Sequence, residues 1–227
     1  MTERYHFSTI RVGEMPAATE ETEVRREIAS SMKSISEQLM RMEATPEQLA
    51  GYASELAALS SRLGAHEKRD YGAILSRLFQ GDASRQDLLD VLDFEILTGR
   101  STALTLPLEL WLDGNTVRGK ANYGLPWQGP PGRVHGGVLS LTMDILLAKT
   151  QDFFHNLGMT GTLNLRYLAA TPLQADITLE ASVVRIEGRK LYNQGRVLVG
   201  DKVAVEANGI WISPMGDYQW REEFQPK

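Results

Sequence analysis

Apolar and polar positions follow three different rhythms along this chain, and the changes between them divide it. From Ile28 through Met32, Ile35 and Leu39 to Met42, apolar residues recur at spacings of 4, 3, 4 and 3. From Leu49 through Tyr52, Leu56 and Leu59 to Leu63 they recur at 3, 4, 3 and 4. Each is a heptad stripe along one helix face. Thr19, followed by Glu20, Glu21 and Glu23, predicts the first helix start. Thr45-Pro46-Glu47-Gln48 predicts the second, with a capping box and an early proline, and Gly64 suits its end. The pair predicts a helical hairpin, stripe facing stripe or facing another surface. Two shorter helices follow, one on Ile74, Leu75, Leu78 and Phe79. The other lies on Leu88, Leu89, Leu92, Ile96 and Leu97, introduced by Ser84 and Asp87 and ended by Gly99.

Near residue 101 the period changes to two. Thr102–Leu112 alternates, with Leu104, Leu106, Leu108, Leu110 and Leu112 on one face, and Asp113-Gly114-Asn115 turns into a second strand, Val117–Tyr123. A loop over 124–137, rich in Gly and Pro, enters a helix that runs to about Phe154; its stretch Val138–Ala148 is very apolar and contains one charge, Asp144. Four strands are predicted next: Thr160–Ala170, Asp176–Ile186, Leu191–Val199 and Val203–Ser213. Glu187-Gly188-Arg189-Lys190 and Gly200-Asp201-Lys202 make hairpin turns, so the four read as an antiparallel meander. A helix apolar on nearly every side must be wrapped, and a curved antiparallel sheet does that. A sheet this small leaves edges of the kind that pair in a dimer. The class is α+β. Residues 1–19 form a flexible lead, 20–99 an all-helical extension, 101–213 the sheet-and-helix domain and 214–227 a tail with no assignment.

Bulk properties narrow the functions. The 227 residues carry a net charge of −5, with 23% charged and 42% apolar residues, which argues against wholesale nucleic-acid binding. Cysteine is absent; this removes disulfides, Cys metal sites and a Cys nucleophile, and fits a cytoplasmic protein. Met1–Phe7 lacks the apolar run of a signal peptide, and no apolar stretch is long enough to span a bilayer. Four histidines (His6, His66, His135 and His155) without zincin spacing give no metal site. No nucleophile elbow, phosphate loop or dinucleotide-binding glycine pattern occurs.

The chemistry concentrates at Val134-His135-Gly136-Gly137-Val138-Leu139 and at Asp144. A glycine pair at a helix start leaves backbone N–H groups open, able to hold the developing oxyanion of an acyl substrate. A carboxylate in an apolar setting has a raised pKa and can serve as a general base on water or attack a carbonyl itself. The plain alternative is an Asp that caps a loop or pairs with Lys149 or Arg166. His135 reads as a positioning residue for the loop. Arg189-Lys190 reads either as a solvated turn or as a phosphate-contacting tip.

These motifs, together with Thr162-Leu163-Asn164-Leu165-Arg166-Tyr167-Leu168 and Val184-Arg185-Ile186-Glu187-Gly188-Arg189-Lys190-Leu191, resemble the hotdog-fold acyl-CoA thioesterases, with the phenylacetate-pathway type the nearest subgroup. The resemblance covers about 101–213. It implies a hotdog fold, a curved sheet around a central helix, and hydrolysis of an acyl-CoA thioester. It places Asp144 as base or nucleophile, Gly136 and Gly137 at the oxyanion, His135 in the loop, and Thr162 or Thr160 orienting water or the carboxylate. Gln128 and Val138 would line the substrate, and Arg189 and Lys190 would approach the nucleotide end of coenzyme A, which is part of the substrate; no separate cofactor is implied. The family places its sites at a dimer interface, so a homodimer, or a dimer of dimers, is implied. Here Tyr167-Leu168-Ala169-Ala170 stands where relatives often read Tyr-Leu-Arg-Pro, and the helical extension lies outside the common core. Asp144 lies about two and a half turns, roughly 13 Å, along the helix from His-Gly-Gly, too far for both to serve one carbonyl from one chain. The competing expectations are a non-catalytic acyl-CoA-binding module with 20–98 as its partner surface, and a hotdog dehydratase or hydratase.

Overall fold

The computed structural model describes residues 4–6, 16–95 and 98–225; Ile96 and Leu97 of the fourth helical stripe, and most of the flexible lead, lie outside them. Four helices come first: α1 (Glu20–Arg41), α2 (Pro46–Gly64), α3 (Tyr71–Gln80) and α4 (Arg85–Leu92). Their starts are set by the residues that the sequence marks. Thr19 accepts from Thr22 N–H, and Thr45 with Gln48, and Ser84 with Asp87, close reciprocal capping boxes. Gly81 ends α3 in the left-handed conformation.

The helical hairpin does not close in the way the stripes suggest. Ile28, Met32, Ile35 and Leu39 of α1 are 43–57% exposed, and α2 buries no residue at all. Instead α1 docks through its polar and small face. Thr22 and Ala29 are buried. Thr19 Oγ1 donates to Gln86 Oε1 at 2.7 Å, and α1 rests on the turn at Leu125–Trp127. Arg26 donates to Asp93 at 2.9 Å, and Ser101 supplies a hydroxyl to the same carboxylate. Asp93 is fully buried, and Arg26 and Ser101 hold its carboxyl below the usual range against the opposing effect of burial. The docked face won because these polar contacts satisfy a buried charge, which apolar packing cannot do. Arg26→Ala is expected to cost about 2 kcal/mol, discounted for the partial exposure of the arginine. Urea unfolding with a probe in the extension would measure it. An unchanged midpoint would remove the latch from the account.

The remainder is a six-stranded antiparallel sheet around one helix. The strands are β1 (Leu108–Asp113), β2 (Thr116–Ala121), β3 (Met159–Tyr167), β4 (Ile177–Glu187), β5 (Lys190–Val199) and β6 (Lys202–Ile212), in the order β1-β2-β4-β5-β6-β3. Three two-residue hairpins begin with Gly114, Gly188 and Gly200, each with φ of 56° or 57°. A positive φ at the first central position is the glycine signature of such turns.

Two strand expectations are corrected. The first strand begins at Leu108, not Thr102, because Ser101 N–H donates to Asp93 O at 2.8 Å and Thr105 to Gly99 O. These bonds turn the backbone of 101–107 back on the extension. The four later strands are also not one meander: β3 crosses over to pair with β6 on the far edge, and β4 pairs with β2. Local alternation places a residue on a face but does not choose the neighbouring strand.

The central helix, α5 (Gly136–Ala148), is followed by a tighter 3-10 turn over Lys149–Phe153, so the α-helix covers the apolar run and ends before the expected Phe154. Leu139, Met143, Leu146 and Leu147 are buried against the inner face of the sheet, with Leu179, Val197, Val205 and Trp211. Asn193 of β5 donates to Leu147 O at 2.9 Å and to Thr150 Oγ1 at 3.0 Å, satisfying the end of the helix. At Gly195 a Cβ would come within 3.0 Å of both Leu147 and Glu180 O, so that position lets α5 lie close on β5. The wrapping is incomplete: Gly137 and Leu141 are exposed and Ser140, Asp144 and Ala148 half-buried, leaving one open stripe on α5.

The tail closes the other end. Trp220 lies 4.4 Å from Phe154, and Phe224 5.1 Å from Phe153, ring centre to ring centre. Tyr218 donates to Gln151 Oε1 at 2.9 Å, and Arg221 N–H donates to Phe153 O at 2.9 Å. Tyr218, Trp220 and Phe224 of the tail are therefore part of the core of the sheet domain.

Candidate active site

The site is built at the open stripe of α5 and the two segments beside it. Gln128 Oε1 accepts from Gly132 N–H at 2.9 Å, and His135 N–H donates to Trp127 O at 2.9 Å, so the proline-rich loop is stapled before it enters the helix. Gln128 is exposed and acts within the loop. His135 is the N-cap: its Nδ1 accepts from Gly137 N–H at 3.0 Å. That contact gives the loop histidine a physical task and fills one of the open helix-start donors. Gly136 N–H makes no hydrogen bond among the described residues and remains an open donor at the positive end of α5.

Two hydroxyls that the sequence reading passed over gather at the same point. Tyr167 OH donates to Gly136 O at 2.9 Å and lies 2.7 Å from Ser140 Oγ, which also donates to Gly136 O at 3.1 Å. Gly136 carries Tyr167 against it: a Cβ there would stand 3.7 Å from the ring. Val138 is half-buried and packs on the core.

Asp144 faces out of α5 two turns further on. Thr160 Oγ1, at the start of β3, donates to its Oδ1 at 3.0 Å. Of the two threonines it is Thr160 that makes this contact; an irregularity in the β3–β6 register lies between them, at Gly161, and the extra residue displaces Thr162 from the helix. Neither cation offered as a plain partner reaches Asp144. Lys149 pairs with Asp152 at 2.7 Å, and Arg166 lies 3.9 Å from Glu206. Burial holds the Asp144 carboxyl above the ordinary carboxylate range; the Thr160 hydrogen bond pulls it down in part, and the charge of Glu95 pushes it up. Glu95 is thus a second carboxylate whose charge is felt at Asp144. It comes from the segment after α4, and Thr98 donates to it from both N–H and hydroxyl. Its distance in sequence from Asp144 leaves no pattern by which the two could be linked.

A hollow of about 350 Å³ opens beside Thr160 and one turn past Asp144, lined by Ala148, Leu157, Met159, Trp211 and Pro214 among others. Arg189 and Lys190 are exposed on the β4–β5 turn. Lys190 pairs with Ile212, and Ile212 with Met159, so this basic tip is two strands, about 10 Å, from the start of β3.

Among the described residues no three His, Cys, Asp or Glu side chains group to hold a metal ion, and no helix is long and apolar enough to cross a membrane.

No protein-family model matches the chain. Acyl-coenzyme A thioesterase THEM4 of Rattus norvegicus is 39% identical over 69 residues, 30% of this chain and 30% of its own length. Acyl-coenzyme A thioesterase THEM5 of Homo sapiens is 36% identical over 65 residues, 29% of this chain and 26% of its own length. The chain thus spans about a third of the length of the curated relatives it matches, or less. The solved structure of a thioesterase superfamily protein aligns over 88% of this chain and 97% of its own, with 27% identity and a TM-score of 0.67. That alignment is too long to be confined to the sheet domain. Its sheet, its wrapped helix and this likeness give the chain a hotdog fold similar to that of a thioesterase superfamily protein.

Proposed function

We propose that the protein hydrolyses an acyl-CoA thioester at Asp144. The observation that carries this reading is the carboxylate itself: half-buried, without a cation, oriented by one threonine hydroxyl and placed beside an apolar hollow. Asp144 takes a proton from water, and the resulting hydroxide adds to the thioester carbonyl carbon. The oxyanion that forms is held by a backbone donor of the Gly136 kind. Collapse breaks the C–S bond, and the thiolate of coenzyme A recovers the proton. Direct attack by the Asp144 carboxylate, followed by hydrolysis of the anhydride, uses the same parts. His135 and Gly137 shape the helix start, Gln128 holds the loop, and Val138 stands on the substrate side of the turn. Thr160 orients the carboxylate, and Thr162, displaced by the bulge, takes no part in that contact.

The hollow lined by Ala148, Leu157, Met159 and Trp211 would take the acyl group; its volume is at the small end for ligand pockets. Arg189 and Lys190 would meet the phosphates of coenzyme A. A roughly 13 Å separation along α5 means that the open Gly136 donor and Asp144 serve different carbonyls, so a complete site requires a second copy. A homodimer follows from this reading, with the open stripe of α5 and the β3 edge as the surfaces concerned.

The test is a panel of acyl-CoAs with release of free thiol followed in time. Turnover of at least one member is expected. Tight binding of acyl-CoA with no thiol release would replace hydrolysis with a binding role. Thr160→Val tests the orientation of the base. Losing a hydrogen bond to the charged form raises the Asp144 pKa further. The acidic limb of kcat/KM is therefore expected to move to higher pH, with activity lost first on the acid side. A limb that stays in place would remove Thr160 from the site.

A further inference from the structure

Helix α2 is a helix with nothing on it. Leu49, Tyr52, Leu56, Leu59 and Leu63 run along one side at 41–54% exposure, and no residue of its 19 is buried. An isolated helix of this length is marginal in water, so the apolar stripe requires a cover. The charges beside the stripe say what covers it. Glu55 precedes Leu56 and Arg62 precedes Leu63, so both stand on the same flank of the stripe, one heptad apart. Neither makes an ion pair or side-chain hydrogen bond among the described residues. The opposite flank carries Ala53 and Ser60, two small residues that allow close approach.

We propose that α2 pairs with α2 of a second copy of this chain, antiparallel about a twofold axis, with Leu56 over Leu59 and Tyr52 over Leu63. In that register each Glu55 stands opposite an Arg62 of the other copy, on both sides of the axis, and each Ala53 faces a Ser60. The neighbouring antiparallel registers are excluded by charge. A slip of one heptad toward the helix start sets Glu55 against Glu55, and a slip toward its end sets Arg62 against Arg62. A parallel pair gives Glu55 and Arg62 no opposite charge to meet. The register is therefore specified by two residues, and the charged rim serves partner choice more than strength. Because α1 rests on the turn at Leu125–Trp127 of the sheet domain, this pairing also bears on how two sheet domains are carried relative to one another.

The chain has no cysteine, which makes the register directly readable. Ala53→Cys/Ser60→Cys in the full chain, treated with a bis-maleimide spanning ~8 Å, the spacing of packed helix axes, is expected to give a covalent dimer. Either single variant is expected to give little, because identical positions are separated by a heptad along the axis. In the double-cysteine background Glu55→Arg or Arg62→Glu should slow cross-linking by about tenfold, and the two together should restore it. Absence of the dimer in the double-cysteine variant would overturn the pairing. Equal cross-linking by the single variants, or failure of the charge swap to restore the rate, would overturn the register. The substitutions are all on exposed helix positions, and an unchanged circular dichroism spectrum distinguishes lost pairing from lost folding.

Discussion

Asp144→Asn is expected to lower kcat toward acyl-CoA by about 10²- to 10⁴-fold, the range of a positioned general base, with the fold intact. The second half of that expectation is the more diagnostic. Burial raises the Asp144 carboxyl in the folded state above its value in the unfolded chain. A carboxylate shifted upward favours folding when protonated, so its contribution is complete below the unfolded pKa and is lost as pH rises through the folded one. At neutral pH the charge therefore works against stability. Asparagine removes that charge and still accepts from Thr160. Its thermal midpoint at pH 7 is expected to equal or exceed that of the native protein, and the difference should shrink on acidification. A variant with native turnover would end the assignment of Asp144. One that is inactive because it unfolds would show a structural carboxylate instead.

Phe154→Ala is expected to destabilise the protein by about 3–5 kcal/mol, the cost of a large aromatic truncated in a core. Phe154 is fully buried, and its ring lies between Tyr218 at 5.2 Å and Trp220 at 4.4 Å. Removing it leaves Phe153 as the remaining ring between the end of the central helix and the tail. Urea denaturation with tryptophan fluorescence reads it directly, since Trp220 reports on the same cluster. A loss below about 1 kcal/mol would mean that the tail is held by its backbone pairing and not by its rings.

Much of this architecture was legible in the residues, and the limits are physical. Local signals survived: Thr19, Thr45 and Ser84 cap the helices they were expected to cap, and Gly114, Gly188 and Gly200 make their turns. These features depend on neighbours within three or four residues. Signals that depend on distant partners did not survive. The alternation of Leu104 and Leu106 continues that of Leu108, yet Ser101 and Thr105 are claimed by Asp93 and Gly99 from the extension. Nothing in Thr160–Tyr167 states that its neighbour is β6, and nothing in Glu95 states that it approaches Asp144. The heptads of α1 and α2 predicted the helices and left their packing open, because a stripe shows which face is apolar and not what meets it. At the site, Asp144, Gly136 and His135 stood out by composition alone. Ser140 and Tyr167 did not, since a serine in a helix and a tyrosine in a strand are ordinary residues until the fold sets them 2.7 Å apart.

The edge position of β3 has a consequence in time. Among the described residues its backbone pairs only with β6, more than thirty residues later in the chain, so it is fixed in the sheet only after β4 and β5 have been laid down. Contacts this distant in sequence form late in folding, and an edge strand bonded on one side is among the first to open in the native state. In a single copy the hydrogen bond between Thr160 and Asp144 is thus secured late and released early, and cover of the β3 edge by a second copy would lengthen the time that strand spends closed.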